Sequence, residues 1–216
     1  MTGSKRQRLR AMRLYALLSE EHCRRPWLET AERLLEGGAD AIQLREKTLE
    51  GGPLLERARA LRELTRKFSA LLIINDRPDV AVLAGADGVH LGQDDLPPEE
   101  VRGLIGPGLI VGLSTHTVEQ AAAAERRGAD YVGVGPAYAT ATKGYQEGGG
   151  PELVGRLCGA TRLPTVAIGG LKPENARAVL DAGAQALAAC AALCGADDPA
   201  EAARAFLRAF PEKDRK

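Results

Sequence analysis

Apolar residues in this chain come in short runs that stop abruptly on polar ones. Leu14–Leu18, Leu71–Ile74, Leu109–Leu113 and Pro164–Ile168 are four such runs. They have strand length and lack the alternation of a half-solvated strand, so each reads as a strand buried on both faces. A second pattern recurs between them: L-L-E-G-G-A-D-A-I-Q-L at 34–44, V-L-A-G-A-D-G-V-H-L at 82–91, E-R-R-G-A-D-Y-V-G-V at 125–134 and V-L-D-A-G-A-Q-A-L-A at 179–188. Each copy is the end of a helix, a glycine to stop it (Gly38, Gly85, Gly128, Gly183) and an apolar strand. The two patterns together predict eight strands, each followed by a helical segment. That is an α/β chain, a single-domain (β/α)8 TIM barrel. A doubly wound sheet is the competing layout. It would ordinarily carry a glycine-rich dinucleotide loop after its first strand, and Ser19-Glu20-Glu21-His22 is not one.

Length and charge narrow the picture. With 216 residues, 44% apolar and 27% charged, the chain suits one domain with a sizeable core. Its formal net charge is zero, which argues for no nucleic-acid partner. No run is long and apolar enough to span a bilayer, and the basic stretch Ser4–Arg10 is not followed by a core of signal-peptide length. Residues 1–11 are expected to be a disordered basic tail, 12–210 the catalytic barrel and 211–216 a second disordered tail. Cys23, Cys158, Cys190 and Cys194 show neither a C-x-x-C spacing nor a zinc set. They read as reduced thiols of a cytoplasmic protein. A homo-oligomer is compatible with the sequence and not required by it.

The barrel reading carries a test, because chemistry should collect at the carboxyl ends of the strands. It does. Strand three ends in Asn75 and Asp76, and strand four in His90, Gln93 and Asp95. Adjacent strand ends lie side by side, which brings Asp76 and Asp95 together with Asn75, His90 and Gln93 around them. Two carboxylates and amide oxygens suit a hard cation such as Mg2+, which shares its ligands with substrate phosphates. The plainer alternative is that Asp76 and Asp94 merely cap the helices that follow. Gln43 and Arg45 share one side of strand two; Arg45 can grip a phosphate bidentately, with Lys47 following as a point charge. Gly169-Gly170 ends strand seven, where barrels commonly hold a phosphate, although a tight turn alone would also explain the pair. Thr140, Thr142 and Lys143 lie on a long loop suited to a lid. The set is built for two phosphate groups and one divalent ion, without a cysteine nucleophile or a Ser-His-Asp signature. A substrate with its own leaving group, such as pyrophosphate, fits better than hydrolysis does.

At this point the motifs resemble a known family. Q-L-R-E-K at 43–47, N-D-R-P-D-V-A at 75–81, G-A-D-G-V-H-L-G-Q-D-D at 85–95, G-L-S-T-H-T at 112–117, A-D-Y-V-G-V-G-P-A-Y-A-T-A-T-K at 129–143 and I-G-G-L at 168–171 are similar, in order and interval, to thiamin phosphate synthases. The resemblance implies a transferase that couples hydroxymethylpyrimidine diphosphate with thiazole phosphate, giving thiamin phosphate and pyrophosphate by a Mg-assisted dissociative route. It implies Asp76 and Asp95 as Mg2+ ligands. Arg45, Lys47, Asn75, Ser114 and Lys143 would hold the diphosphate, and Gln43 and His90 the aminopyrimidine. Thr140, Thr142, Gly170 and the end of strand eight, Cys190-Ala191, would meet the thiazole phosphate. The chain departs from the family pattern at Ala139, where proline is usual, at Tyr145, where an acid is usual, and at Cys190-Ala191, where Ile-Ser is usual. The expected effect is weaker binding of the thiazole phosphate, not another reaction. Two other functions remain alternatives at this stage: a thiazole tautomerase, which shares the barrel and the strand-five histidine (here His116), and a non-catalytic phosphate-binding barrel with a regulatory role.

Overall fold

The structure, a computed structural model, describes residues 4–140 and 146–212. Eight parallel strands, β1 (Leu14–Leu18), β2 (Ala41–Leu44), β3 (Leu71–Asn75), β4 (Gly88–Leu91), β5 (Ile110–Thr115), β6 (Tyr131–Val134), β7 (Thr165–Ala167) and β8 (Ala186–Ala189), close into a barrel in chain order. The described helices are α1 (Lys5–Ala11), α2 (Trp27–Glu36), α3 (Gly51–Lys67), α4 (Pro78–Leu83), α5 (Pro98–Ile105), α6 (Val118–Ala123), α7 (Gly150–Gly159), α8 (Pro173–Asp181), α9 (Ala191–Cys194) and α10 (Pro199–Leu207). The expected single-domain (β/α)8 barrel is the observed fold.

The unbroken apolar runs have the predicted cause, for each strand serves two cores. Leu72 and Ile74 of β3 join the outer core between strands and helices. Leu71 and Ile73 of the same strand join the inner core, with Tyr15, Leu17, Ile110, Tyr131 and Val166. The four repeated glycines all sit at positive φ, between 61° and 109°, where a side chain would be strained.

The residue after each Gly-Ala pair stitches the floor of the barrel. Asp40 Oδ2 accepts the backbone N–H groups of Arg13 and Leu14, at 2.9 and 3.1 Å. Asp87 accepts from Leu72 N, and Asp130 from Val111 N, each at 2.9 Å. Each aspartate thus lies immediately before an even strand, and its side chain accepts from backbone N–H groups at the start of the odd strand before it. In the fourth repeat the residue is Gln185, and its amide donates instead to the carbonyls of Leu9 and Arg10 at the end of α1.

The expected disordered tail over 1–11 is corrected here. Among its described residues, Lys5–Ala11 are helical and docked. Ser4 and Gln7 form a reciprocal capping box at the start of α1. Arg6 donates to Asp130 and Arg8 to Asp87, at 2.9 and 3.0 Å, and Leu9 is buried in the inner core. The basic composition that suggested a solvated tail is the complement of the carboxylates on the barrel floor. Of the second expected tail, only Pro211 and Glu212 fall within the described residues.

Candidate active site

Two cavities open at the carboxyl ends of the strands and meet. One, of about 390 Å3, is polar and is lined by Arg45, Lys47, Asn75, Asp76, His90 and the segment from Gly92 to Asp95. The other, of about 560 Å3, is lined by Leu17, His22, Pro136, Ala139, Thr140, Gly169, Gly170, Cys190 and Ala191, among others. Ser114 and His116 line both. A larger groove of about 830 Å3 lies at the opposite end, against α1, and contains none of the strand-end residues.

The polar lobe begins where β3 ends. Asp76 lies at φ 61°, a conformation few residues other than glycine adopt and aspartate tolerates better than most. Its N–H is held by His90 O at 2.9 Å. The N-cap of α4 is Arg77 and that of α5 is Pro97, neither with a side-chain cap bond, so Asp76 and Asp94 cap nothing and the plainer reading of them is set aside. The carboxylates of Asp76 and Asp95 lie within hydrogen-bonding reach of each other. Burial, and then Asp95, push the Asp76 carboxyl up from its ordinary range, and Lys47 Nζ at 3.5 Å pulls it back. Asp95 is held by the Gly92 N–H at 2.6 Å.

Arg45 stands beside this pair. Its side chain is only 8% exposed, and the nearest carboxylate, Glu21, is 3.9 Å away. Its buried Nε has no hydrogen-bond partner among the described residues. Like charges pressed together and a buried cation short of acceptors are both costly, and each is relieved by an ion of the opposite sign.

The other candidates fall into place around these. Gln43 donates to Tyr15 Oη at 2.6 Å inside the barrel. His90 bonds Tyr131 Oη through Nδ1 and Ser114 Oγ through Nε2, both at 2.9 Å. His116 Nδ1 lies 2.7 Å from Gly135 O, tying the β5 loop to the end of β6. Gln93 lines the polar lobe with the carboxylates, as expected, but its amide is engaged elsewhere: it donates to Ser114 O at 2.5 Å and accepts from Arg127 at 3.3 Å, bracing β5. Gly169 and Gly170 have φ of 103° and 59°. A Cβ on Gly170 would meet Ala139 O at 2.4 Å, so the pair makes a turn and also admits the loop that carries Thr140. Cys190 N-caps α9 and Ala191 opens it. Thr142, Lys143 and Tyr145 lie outside the described residues.

One site residue escaped the sequence reading. Tyr131 fills the barrel below His90, at the repeat position occupied elsewhere by Ala41, Gly88 and Ala186. The signal was that substitution of a large residue for a small one, with Gly112 opposite: a Cβ on Gly112 would lie 2.1 Å from the Tyr131 ring.

The family model described as thiamine monophosphate synthase matches residues 14–193. The chain belongs to the thiamine monophosphate synthase family. Within the family, the thiamine-phosphate synthase of Shouchella clausii strain KSM-K16 is 42% identical over 206 residues, covering 94% of this chain and 99% of the relative. That of Moorella thermoacetica is 48% identical over 183 residues, covering 83% and 86%. Thiamine phosphate pyrophosphorylase from Pyrococcus furiosus, a solved structure, superposes with a TM-score of 0.86 at 36% identity, covering 93% and 96%. A 3-hexulose-6-phosphate synthase at 22% identity and a TM-score of 0.66 shares the fold alone. The chain is accordingly an enzyme, a transferase of thiamine biosynthesis acting on small molecules. No helix of the described residues is long and apolar enough to cross a membrane.

Proposed function

We propose that the polar lobe takes hydroxymethylpyrimidine diphosphate, that the adjoining lobe takes thiazole phosphate, and that the chain joins them where the lobes meet at Ser114. The observation that carries this reading is the buried Arg45 guanidinium, short of acceptors, beside a carboxylate pair short of a cation. A diphosphate with a divalent ion relieves both at once.

Among the described residues no cluster of three or more His, Cys, Asp or Glu side chains is arranged to hold a metal. Mg2+ does not require one, since it is generally held by one or two carboxylates together with substrate phosphate and water. Asp76 and Asp95, whose mutual repulsion already raises the Asp76 carboxyl, fit that donor set. They would hold the ion, which when bound neutralises diphosphate charge. Arg45 and Lys47 meet the terminal oxygens, Asn75 and Ser114 donate hydrogen bonds, and Lys143 adds a cation. As the carbon–oxygen bond ionises, its electron pair leaves with pyrophosphate and these donors meet the growing charge. The methylene carbon, now positive, is attacked by the lone pair of the thiazole nitrogen, so the step calls for no strong base. The thiazole phosphate is held by Thr140, Thr142 and Gly170 and by the backbone at Cys190-Ala191. The free thiols fit a reducing cytoplasm.

The test is pyrophosphate release. It is expected only with both substrates and Mg2+ present, to stop with chelator, and to fall at least about a hundredfold in Lys143→Ala, the scale of one lost electrostatic stabiliser. His116→Ala is expected to keep most of the activity, because its imidazole braces backbone. No coupling in the wild type, together with thiazole isomerisation lost in His116→Ala, would replace this reading with the tautomerase.

A further inference from the structure

Five side chains from five strands form one hydrogen-bonded line through the barrel. Gln43 Nε2 meets Tyr15 Oη at 2.6 Å, and Tyr15 Oη meets Tyr131 Oη at 3.0 Å. Tyr131 Oη meets His90 Nδ1, and His90 Nε2 meets Ser114 Oγ, each at 2.9 Å. Burial raises both tyrosine hydroxyls well above their ordinary range, so each stays neutral with one proton to give.

Counting those protons gives the line a direction. The Gln43 amide donates into Tyr15, whose own proton therefore goes to Tyr131 Oη, the acceptor it meets among the described residues. Tyr131 then donates to His90 Nδ1. That nitrogen is bare, so the neutral ring carries its proton on Nε2 and donates to Ser114 Oγ. Ser114 accepts from the ring, and its own hydrogen turns to the cavities that it lines. With Gln43 Nε2 facing Tyr15, the reverse polarity would give Tyr15 Oη two incoming protons and strand its own in an apolar interior. It would also turn the lone pairs of Ser114, rather than its hydrogen, toward an incoming anion.

We infer that Tyr15 and Tyr131 are positioning residues, which fix His90 in the Nε2–H tautomer and so present the Ser114 hydroxyl outward as a hydrogen-bond donor to an anionic oxygen of the substrate. This rests on the reading that the polar lobe holds the diphosphate. Gly112 belongs to the device, since any side chain there would displace the Tyr131 ring.

The first test needs neither substrate nor activity. The chain has three histidines, His22, His90 and His116, so a long-range proton–nitrogen spectrum of 15N-histidine-labelled wild type at neutral pH resolves each ring. His22→Gln and His116→Gln assign the signals. His90 is expected as the neutral Nε2–H tautomer, and Tyr131→Phe is expected to shift it toward Nδ1–H. An Nδ1–H ring at His90 in the wild type overturns the relay. If Tyr131→Phe fails to fold, Tyr15→Phe takes its place, and the wild-type spectrum decides in either case. The second test is a cycle. Tyr131→Phe should raise the KM for the diphosphate about three- to tenfold with a smaller change in kcat, the scale of one hydrogen bond. Adding it to Ser114→Ala should cost nothing more; losses that multiply in the double variant would place Tyr131 outside the path to Ser114. Failure of the wild type to couple the substrates, with the His90 spectrum as expected, would sink the functional reading and leave the tautomer assignment standing.

Discussion

The two ends of this barrel use the same residue types in opposite ways. On the floor, each repeat aspartate is matched. Asp87 is 3% exposed and bonds Arg62 at 2.6 Å, Arg8 at 3.0 Å and a backbone N–H at 2.9 Å. Asp130 pairs with Arg6 and Arg102. At the mouth the charges are mismatched: Asp76 and Asp95 face each other, and Arg45 is buried 3.9 Å from its nearest carboxylate. A fold gains stability from the first arrangement and loses it through the second. The lesson is that polar composition does not tell scaffold from site; completeness of pairing does.

The comparison breaks most sharply at Asp76. Asp76→Asn keeps a residue that tolerates the left-handed backbone but removes one of the two opposed charges. Coupling should fall by about three orders of magnitude or more, roughly 4 kcal/mol in the barrier. Melting of the metal-free protein should nevertheless rise. Mg2+ should raise the melting temperature of the wild type and leave that of the variant unmoved. A metal-free variant less stable than the wild type would mean that the carboxylate pair is not a strained one.

Asp87→Ala is the converse. It leaves Arg62 and Leu72 N buried without their partner, and should cost about 3–5 kcal/mol in denaturant unfolding, the range for breaking a buried pair. Specific activity of the folded fraction should stay near that of the wild type. Loss of turnover without loss of stability would dissolve the contrast between floor and mouth.

Acidity sharpens the same contrast at smaller scale. The Asp76 pKa is raised in the folded state, so the fold binds that proton more tightly than the unfolded chain does. The penalty of the charged pair is therefore full above the folded pKa and fades as pH falls toward the unfolded value, near 3.8. Measured without metal, the stability gap between wild type and Asp76→Asn should narrow as pH is lowered from neutrality. A gap independent of pH would remove Asp76 as its source.

The smallest effect is expected at the rim of the second lobe. Ala191→Ser restores a hydroxyl at the start of α9 and should lower the KM for thiazole phosphate by the equivalent of about 0.5–1.5 kcal/mol, leaving that for the diphosphate alone. An unchanged KM would mean that backbone donors already saturate that phosphate.

Much of the fold was legible because it depends on period and punctuation: runs without alternation, and four glycines that had to be left-handed. The strand-end residues were legible because a parallel barrel gathers strand ends. What escaped was long-range pairing. α1 looked like a solvated tail because its partners, Asp87, Asp130 and Gln185, are far away in sequence. Gln93 looked like a metal neighbour because nothing local shows that its amide is committed to Ser114 and Arg127. Tyr131 drew no notice because its hydroxyl partners, Tyr15 and His90, sit on β1 and β4.

The docking of α1 also bears on the order in which the chain can be completed. This helix is made before every strand of the barrel, yet it binds Asp87, Asp130 and Gln185 across separations of 79, 124 and 176 residues. Gln185 immediately precedes β8, the strand that closes the ring against β1. A helix made ahead of the whole barrel is therefore a latch that cannot fully engage until β8, the last strand of the ring, is about to be made. Protection of the α1 amides from hydrogen exchange would then mark a finished barrel, and nascent chains that end before β8 should leave it open.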